Sequence, residues 1–126
     1  MIDLCPFCTI SDERIVLANE LVVVIRDDFP VSRGHTLIIP KRHVSSFFDV
    51  IGAEREAMLA LLDSAKLGLD AEFRPDGYNV GINDGVAAGQ TVPHVHLHLI
   101  PRYAGDSEDA RGGVRWIFPE KAKYWP

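Results

Sequence analysis

The pattern of apolar and polar positions divides the chain into five strand-like runs and one long helical one. Ile15–Ala18 and Leu21–Ile25 are aliphatic runs separated only by Asn19-Glu20, the spacing of two strands joined by a tight turn. Arg26-Asp27-Asp28-Phe29-Pro30 ends the second run, and Val31–Gly34 reads as a loop. His35–Pro40 is a third run, read as a buried strand that Pro40 stops. Ser45 or Ser46 caps a short helical turn through Phe47, Phe48 and Val50. From Gly52 to Phe73, Ala57, Leu61, Leu62, Ala65 and Leu69 recur at three- and four-residue steps, which predicts an amphipathic helix with one apolar stripe. Arg74-Pro75-Asp76-Gly77 ends it as a turn. Tyr78–Asn83 is a fourth strand, with Tyr78, Val80 and Ile82 on one face, and His94–Ile100 is a fifth, opened by Pro93 and closed by Pro101. The expected class is α+β, an antiparallel sheet of about five strands with one long helix against it.

The 126 residues suffice for one domain with one core, and no repeat, low-complexity segment or linker interrupts them. The motifs occupy about residues 5–102. The tail, 103–126, carries two tryptophans, a phenylalanine and two tyrosines, so it is expected to pack on its own domain or on a second subunit. A formal net charge of −5 argues against a nucleic-acid-binding surface spread over the molecule. It leaves room for a small anion in a local pocket. The longest apolar run is strand-sized, which predicts no membrane span. The opening Met-Ile-Asp-Leu-Cys-Pro lacks a basic region followed by an apolar stretch, so a cytoplasmic protein without a secretory signal is expected.

Chemistry concentrates on the fifth strand. His94, His96 and His98 alternate with Val95, Leu97 and Leu99, and successive strand side chains point to opposite faces. Three imidazoles therefore share one face. Such a row is a polar surface run, a metal site or a set of groups for nucleophilic and acid–base work. Both cysteines fall in Cys5-Pro6-Phe7-Cys8. A cytosolic setting disfavours a disulfide, and a redox pair would sit between a strand and a helix. Two thiolates at this spacing form half of a tetrahedral zinc site, with histidine the supply of the rest. Asp27 and Asp28 form a solvated turn or hold a ligand hydroxyl. His43 is a surface loop residue unless it joins the cysteines. His35 is either a core histidine or a partner that orients the triad rings. The small-residue loop Asp84–Gly89 lets backbone N–H groups approach an anion and delivers Gln90 and Thr91 to the histidine strand.

These motifs resemble the histidine triad (HIT) family of nucleotide hydrolases and transferases. The likeness lies in His94-Val95-His96-Leu97-His98-Leu99-Ile100, preceded by Gly89-Gln90-Thr91 and followed by Pro101-Arg102. Gly34–His43 and Ile82-Asn83-Asp84-Gly85 extend it, in family order from Phe7 to about Arg102. The resemblance implies that His96 attacks the α-phosphorus of a purine nucleotide derivative and forms a nucleotidyl-histidine that water hydrolyses. His98 would contact phosphate near the leaving group, while His94 would orient its neighbour. Asn83, Gln90 and Thr91 would hold the phosphate and the bridging or leaving atom. Asp27, in preference to Asp28, would take the ribose hydroxyls, and Phe7 and Ile10 would form part of the apolar slot for the base. Cys5, Cys8, His43 and His94 match the ligands of a structural Zn²⁺, a closed site with no position for activated water. No organic cofactor is implied.

Family members pair into homodimers with a continuous sheet. The tail, with Arg111, Arg115 and Trp116, departs from the members that cleave nucleoside phosphoramidates. Dinucleoside polyphosphates are therefore equally expected substrates, with Arg102, Arg111 or Arg115 meeting the additional phosphates. Two rival readings are a hydrolase whose triad holds a catalytic zinc and a nucleotide-binding scaffold without chemistry.

Overall fold

The structure, a computed structural model, describes residues 4–126; Met1–Asp3, with the start of the leader reading, lie outside the described residues. The described residues form strands β1 (Ile15–Ala18), β2 (Val22–Arg26), β3 (Thr36–Pro40), β4 (Gly77–Gly81) and β5 (Leu97–Arg102), and helices α1 (Gly52–Phe73) and α2 (Pro119–Ala122). The strands make one sheet in the order β1-β2-β3-β5-β4 with every neighbouring pair antiparallel. Among the described residues no helix is long and apolar enough to cross a membrane.

Local chemistry sets the strand ends. The Asn19 side-chain oxygen accepts from the N–H groups of Leu21 and Val22, and Asn19 N–H donates to the Val22 carbonyl. Leu21 is thereby part of the turn, and β2 starts one residue later than the aliphatic run. Gly34 adopts φ +86°, and a Cβ there would lie 2.9 Å from Leu69 of α1, so the loop into β3 needs glycine both for its backbone and for its close approach.

α1 covers one face of the sheet. Its buried residues are Glu54, Met58, Leu61, Ala65 and Leu69, with Ala57 and Leu62 at the margin. Leu61, Ala65 and Leu69 of the expected stripe are thus inward, Ala57 and Leu62 flank it, and Glu54 and Met58 extend it toward the start of the helix. Glu54 is buried because Arg42 forks onto both its oxygens (2.9 and 2.8 Å) and the Ile51 N–H donates to it at 3.0 Å. Arg42 also reaches the Asp49 carbonyl. The Ser46 hydroxyl accepts from Phe48 N–H and caps the expected short turn, here 3-10, over Phe47–Asp49.

Val22, Val24, Ile38, Val95, Leu97 and Leu99 pack with α1 in the main core. On the opposite face Val23, Ile25, Leu37 and Ile39 form a smaller cluster, joined by Phe7, Ile10 and Ile15. That second face is only partly covered, and the site lies there.

Three expectations are corrected. β5 begins at Leu97 rather than at the first triad histidine, because a Val92–His94 backbone bond turns the preceding segment and Val95 N–H donates to Val44. Pro101 does not close β5, which runs to Arg102. Pairing with β3 ends at Leu99, so Pro101 has β4 alone as a strand partner, where a missing N–H is tolerated. β4 ends at Gly81, and Val80 is exposed while Tyr78 and Ile82 pack on the core. In the tail, a 3-10 turn over Gly113–Ile117 packs on α2 and on β4, leaving Ile117, Phe118 and Tyr124 exposed.

Candidate active site

Alternation of side chains is kept from His94 to His98, although the ladder is not. Val95, Leu97 and Leu99 enter the main core, and the histidines turn to the other face. Each ring is then fixed by a different partner.

His94 is fully buried, and its Nε2–H donates to the Pro40 carbonyl at 2.7 Å. Its Nδ1 therefore presents a lone pair, and it lies 3.4 Å from Cys5 Sγ and 3.6 Å from Cys8 Sγ. Cys8 Sγ is 3.1 Å from His43 Nδ1, and all four donor atoms fall within 4.8 Å of one another. Zinc bonds of about 2.3 Å to sulfur and 2.0–2.1 Å to nitrogen in a tetrahedron separate unlike ligands by about 3.5 Å. The donor set and its spacing therefore fit a divalent metal of zinc type. The Arg42–Glu54 pair immediately before His43 anchors the loop that supplies it.

His96 has the opposite arrangement. Its Nδ1–H donates to the His94 carbonyl at 2.9 Å, so its Nε2 carries the lone pair. The Phe7 ring meets it edge-on at 4.9 Å. His98 differs again. Val31 N–H donates to His35 Nδ1 (3.1 Å), which leaves the proton of His35 on Nε2, 3.0 Å from His98 Nδ1 and 3.4 Å from the Asp27 carboxylate. His98 Nδ1 accepts, so its own proton sits on Nε2. Burial, with His96 and His35 nearby, pushes His98 down to about 4, against the opposing pull of Asp27. Burial also lowers His35, again opposed by Asp27. The hydrogen bonds thus set one imidazole that donates through Nδ1 and turns Nε2 to the cleft beside one that accepts at Nδ1 and carries Nε2–H, their ring centroids 5.1 Å apart.

A cleft of about 430 Å³ opens over these rings. Asp27, Asn83, Gln90, Thr91 and Phe7 line it together with His35, His96 and His98. Ile10 packs in the smaller apolar cluster and is not among the lining residues. The amide of Gln90 is committed to the backbone: its oxygen accepts from Gly85 N–H (2.7 Å) and its nitrogen donates to Ser45 (2.8 Å) and Val92 (3.1 Å). It ties the glycine loop to the turn before His94. Asp84 clips the same loop to Ser46 and to Phe47 N–H.

The tail arginines lie elsewhere. Arg102 is held by Asn79, Asp106 and Ser107. Arg111 pairs with Asp109 over the Trp125 ring, and Arg115 donates to the Lys121 and Ala122 carbonyls. None of them lines the cleft among its described residues, which corrects their expected part in meeting extra phosphates. The cation that does line it is Arg14, paired with Asp28 at 3.0 Å. Sequence reading passed over Arg14 because it sits in a short polar stretch without periodicity. The Ile15–Ile25 register brings it beside the end of β2.

Two of the three triad histidines belong to separate clusters, and His96 stands between them in neither. His94 belongs with Cys5, Cys8 and His43, whereas His98 belongs with Asp27 and His35.

A family model for the HIT domain matches residues 9–105. A solved zinc-bound histidine triad family protein from Mycobacterium smegmatis is 34% identical, with a TM-score of 0.74, and the match covers 84% of this chain and 80% of that one. The AP-4-A phosphorylase of Mycobacterium tuberculosis is 34% identical over 108 residues, 81% of this chain and 55% of the phosphorylase. The asymmetrical bis(5'-nucleosyl)-tetraphosphatase of Schizosaccharomyces pombe is 40% identical over 77 residues, 61% of this chain and 42% of that enzyme. The chain thus spans about half the length of these two enzymes.

Proposed function

The chain belongs to the HIT domain family, and from that premise we propose that it cleaves purine nucleotide derivatives at the α-phosphorus through a covalent intermediate on His96. The observation that carries this reading is the 2.9 Å bond from His96 Nδ1–H to the His94 carbonyl, which leaves Nε2 as the attacking atom in the cleft. The Nε2 lone pair forms a bond to phosphorus while the bond to the leaving group breaks in line. The ring keeps its Nδ1 proton, so the nucleotidyl-histidine is a cation facing the His94 carbonyl, and it parts readily from phosphorus. Water then supplies the oxygen, a proton is released, and His96 regains its neutral form.

His98 donates its Nε2–H as a hydrogen bond to phosphoryl oxygen. The Asp27–His35–His98 chain holds that tautomer. Because His98 is neutral, a leaving group that departs as an anion suits the site better than an amine that must first gain a proton. Dinucleoside polyphosphates therefore fit better than phosphoramidates, in keeping with the names of the two related enzymes. Asp27 takes the ribose hydroxyls, Phe7 and Leu37 flank the base, Asn83 and Thr91 hold phosphate, and Gln90 positions the glycine loop. Cys5, Cys8, His43 and His94 would hold a structural Zn²⁺ that ties the N-terminal segment to the segment before β5 and enters no chemical step. A homodimer continuing the sheet across the open side of β4, working in the cytoplasm, completes the reading.

The test is turnover of diadenosine tetraphosphate against adenosine 5'-phosphoramidate, with and without chelator. Cleavage that favours the tetraphosphate and survives brief chelation is expected. No cleavage of either would leave a binding protein, and immediate loss in chelator would restore a catalytic metal.

A further inference from the structure

A register row runs across four strands on the cleft's side of the sheet, and two of its members, His98 and Leu37, line the cleft itself. His98 on β5 is registered with Leu37 on β3, Leu37 with Ile25 on β2, and Ile25 with Ile15 on β1. At about 4.8 Å per strand the row is about 14 Å long, comparable to the reach of a nucleotide from its α-phosphorus to the far edge of its base. The histidines mark one end. At the other, Arg14 immediately precedes Ile15, its guanidinium 3.0 Å from the Asp28 carboxylate and 3.3 Å from the Arg26 carbonyl. Asp27 stands between them at the end of β2, and both Arg14 and Asp28 line the same cleft as His96 and His98. A nucleotide with its phosphorus at His96 and its ribose at Asp27 carries its base to the Arg14–Asp28 pair.

That pair is poorly explained as a support for the fold. The Asp28 side chain is 65% exposed and that of Arg14 31%, conditions in which an ion pair contributes little. Both groups are therefore free to exchange one partner for another. A purine edge offers them different matches. Guanine presents two adjacent donors, N1–H and N2–H₂, which one carboxylate accepts together, and two adjacent acceptors, O6 and N7, which suit the guanidinium fork. Adenine sets the bare N1 beside its N6 amine, so a carboxylate meets one donor and one lone pair.

Resting on the nucleotide reading above, we infer that Arg14 and Asp28 read the base and select guanine over adenine. The products GMP and AMP test this without turnover, by titration calorimetry on the full chain. GMP is expected to bind about tenfold tighter or more, the scale of one bidentate base contact. Asp28→Asn should abolish or invert the preference, because it weakens GMP while its amide matches the N6 amine and bare N1 of adenine, with an unchanged thermal unfolding midpoint as the control for folding, and Arg14→Gln should reduce the preference in the same direction. Equal affinities in the wild type would overturn this inference and leave the nucleotide reading standing, as would a GMP preference that neither substitution changes. Failure to bind either nucleotide would overturn the nucleotide reading itself, and base selection with it.

Discussion

Two histidines separated by one residue end in opposite chemical settings. His94 gives its Nε2–H to Pro40 and turns Nδ1 among two thiols and a second imidazole. His96 gives its Nδ1–H to the His94 carbonyl and leaves Nε2 to the cleft. The residue type is the same and the backbone is shared. The difference is made by which backbone carbonyl each ring reaches, the end of β3 for one and its own neighbour for the other. The lesson is general for histidine: the hydrogen bond at one nitrogen decides what the other can do.

The comparison can be broken at either site, and the largest effect is expected at the cleft. His96→Ala should reduce turnover by about 10⁴-fold or more, as loss of a covalent nucleophile does, while the protein keeps its metal. Steady-state assay paired with metal analysis checks both halves. Cys8→Ser should do the reverse. It should lose the zinc and with it about 4 kcal/mol of stability when free metal stands a thousandfold above its dissociation constant, yet retain turnover per folded molecule. Thermal unfolding with and without added zinc reads that contribution. Glu54→Gln should cost about 1–3 kcal/mol in urea unfolding, since a nearly fully buried carboxylate and its Arg42 bonds are lost. By loosening the loop before His43 it should also weaken metal retention more than turnover.

Acid gives a smaller effect that belongs to the cleft. His98 is lowered from about 6.5 in the unfolded chain to about 4 in the fold, so between those values the unfolded chain binds the extra proton. Stability should therefore be complete above pH 6.5 and fall as the pH drops toward 4. Comparing Cys8→Ser with Cys8→Ser/His98→Gln removes the contribution of the metal cluster, and the double variant should show the shallower slope. The smallest effect concerns the tail. Arg102→Gln should cost at most about 1 kcal/mol and leave the KM for diadenosine tetraphosphate unchanged, because Arg102 is held by Asp106 and Asn79 away from the cleft.

These contrasts also mark how far the sequence could be read. β1, β3 and α1 were legible because each carries one unbroken pattern with a clear stop, such as Pro40 or Arg74-Pro75. The alternation around the triad was legible as well, since Val95, Leu97 and Leu99 needed one face and the histidines the other. The loss of regular strand before Leu97 was not, because it follows from the Val92–His94 turn and from the Val44 contact, a partner about fifty residues away. Glu54 was hidden for a related reason: a charged residue in a helical stripe looks solvated until Arg42 is placed beside it. Gln90 reads as a phosphate ligand in sequence, yet its amide is bound to Gly85, Ser45 and Val92. Arg14 had no local signal at all. Its place depends on strand register, which isolated residues do not encode.

The central claim is that His96 reacts through Nε2 because its Nδ1 proton is held by the His94 carbonyl. Phosphorus and nitrogen NMR on protein quenched during turnover of diadenosine tetraphosphate tests it directly. A nucleotidyl group bonded to Nε2 of His96 is the expected result. A group on Nδ1, on another histidine, or no covalent species while substrate is being consumed would contradict the account.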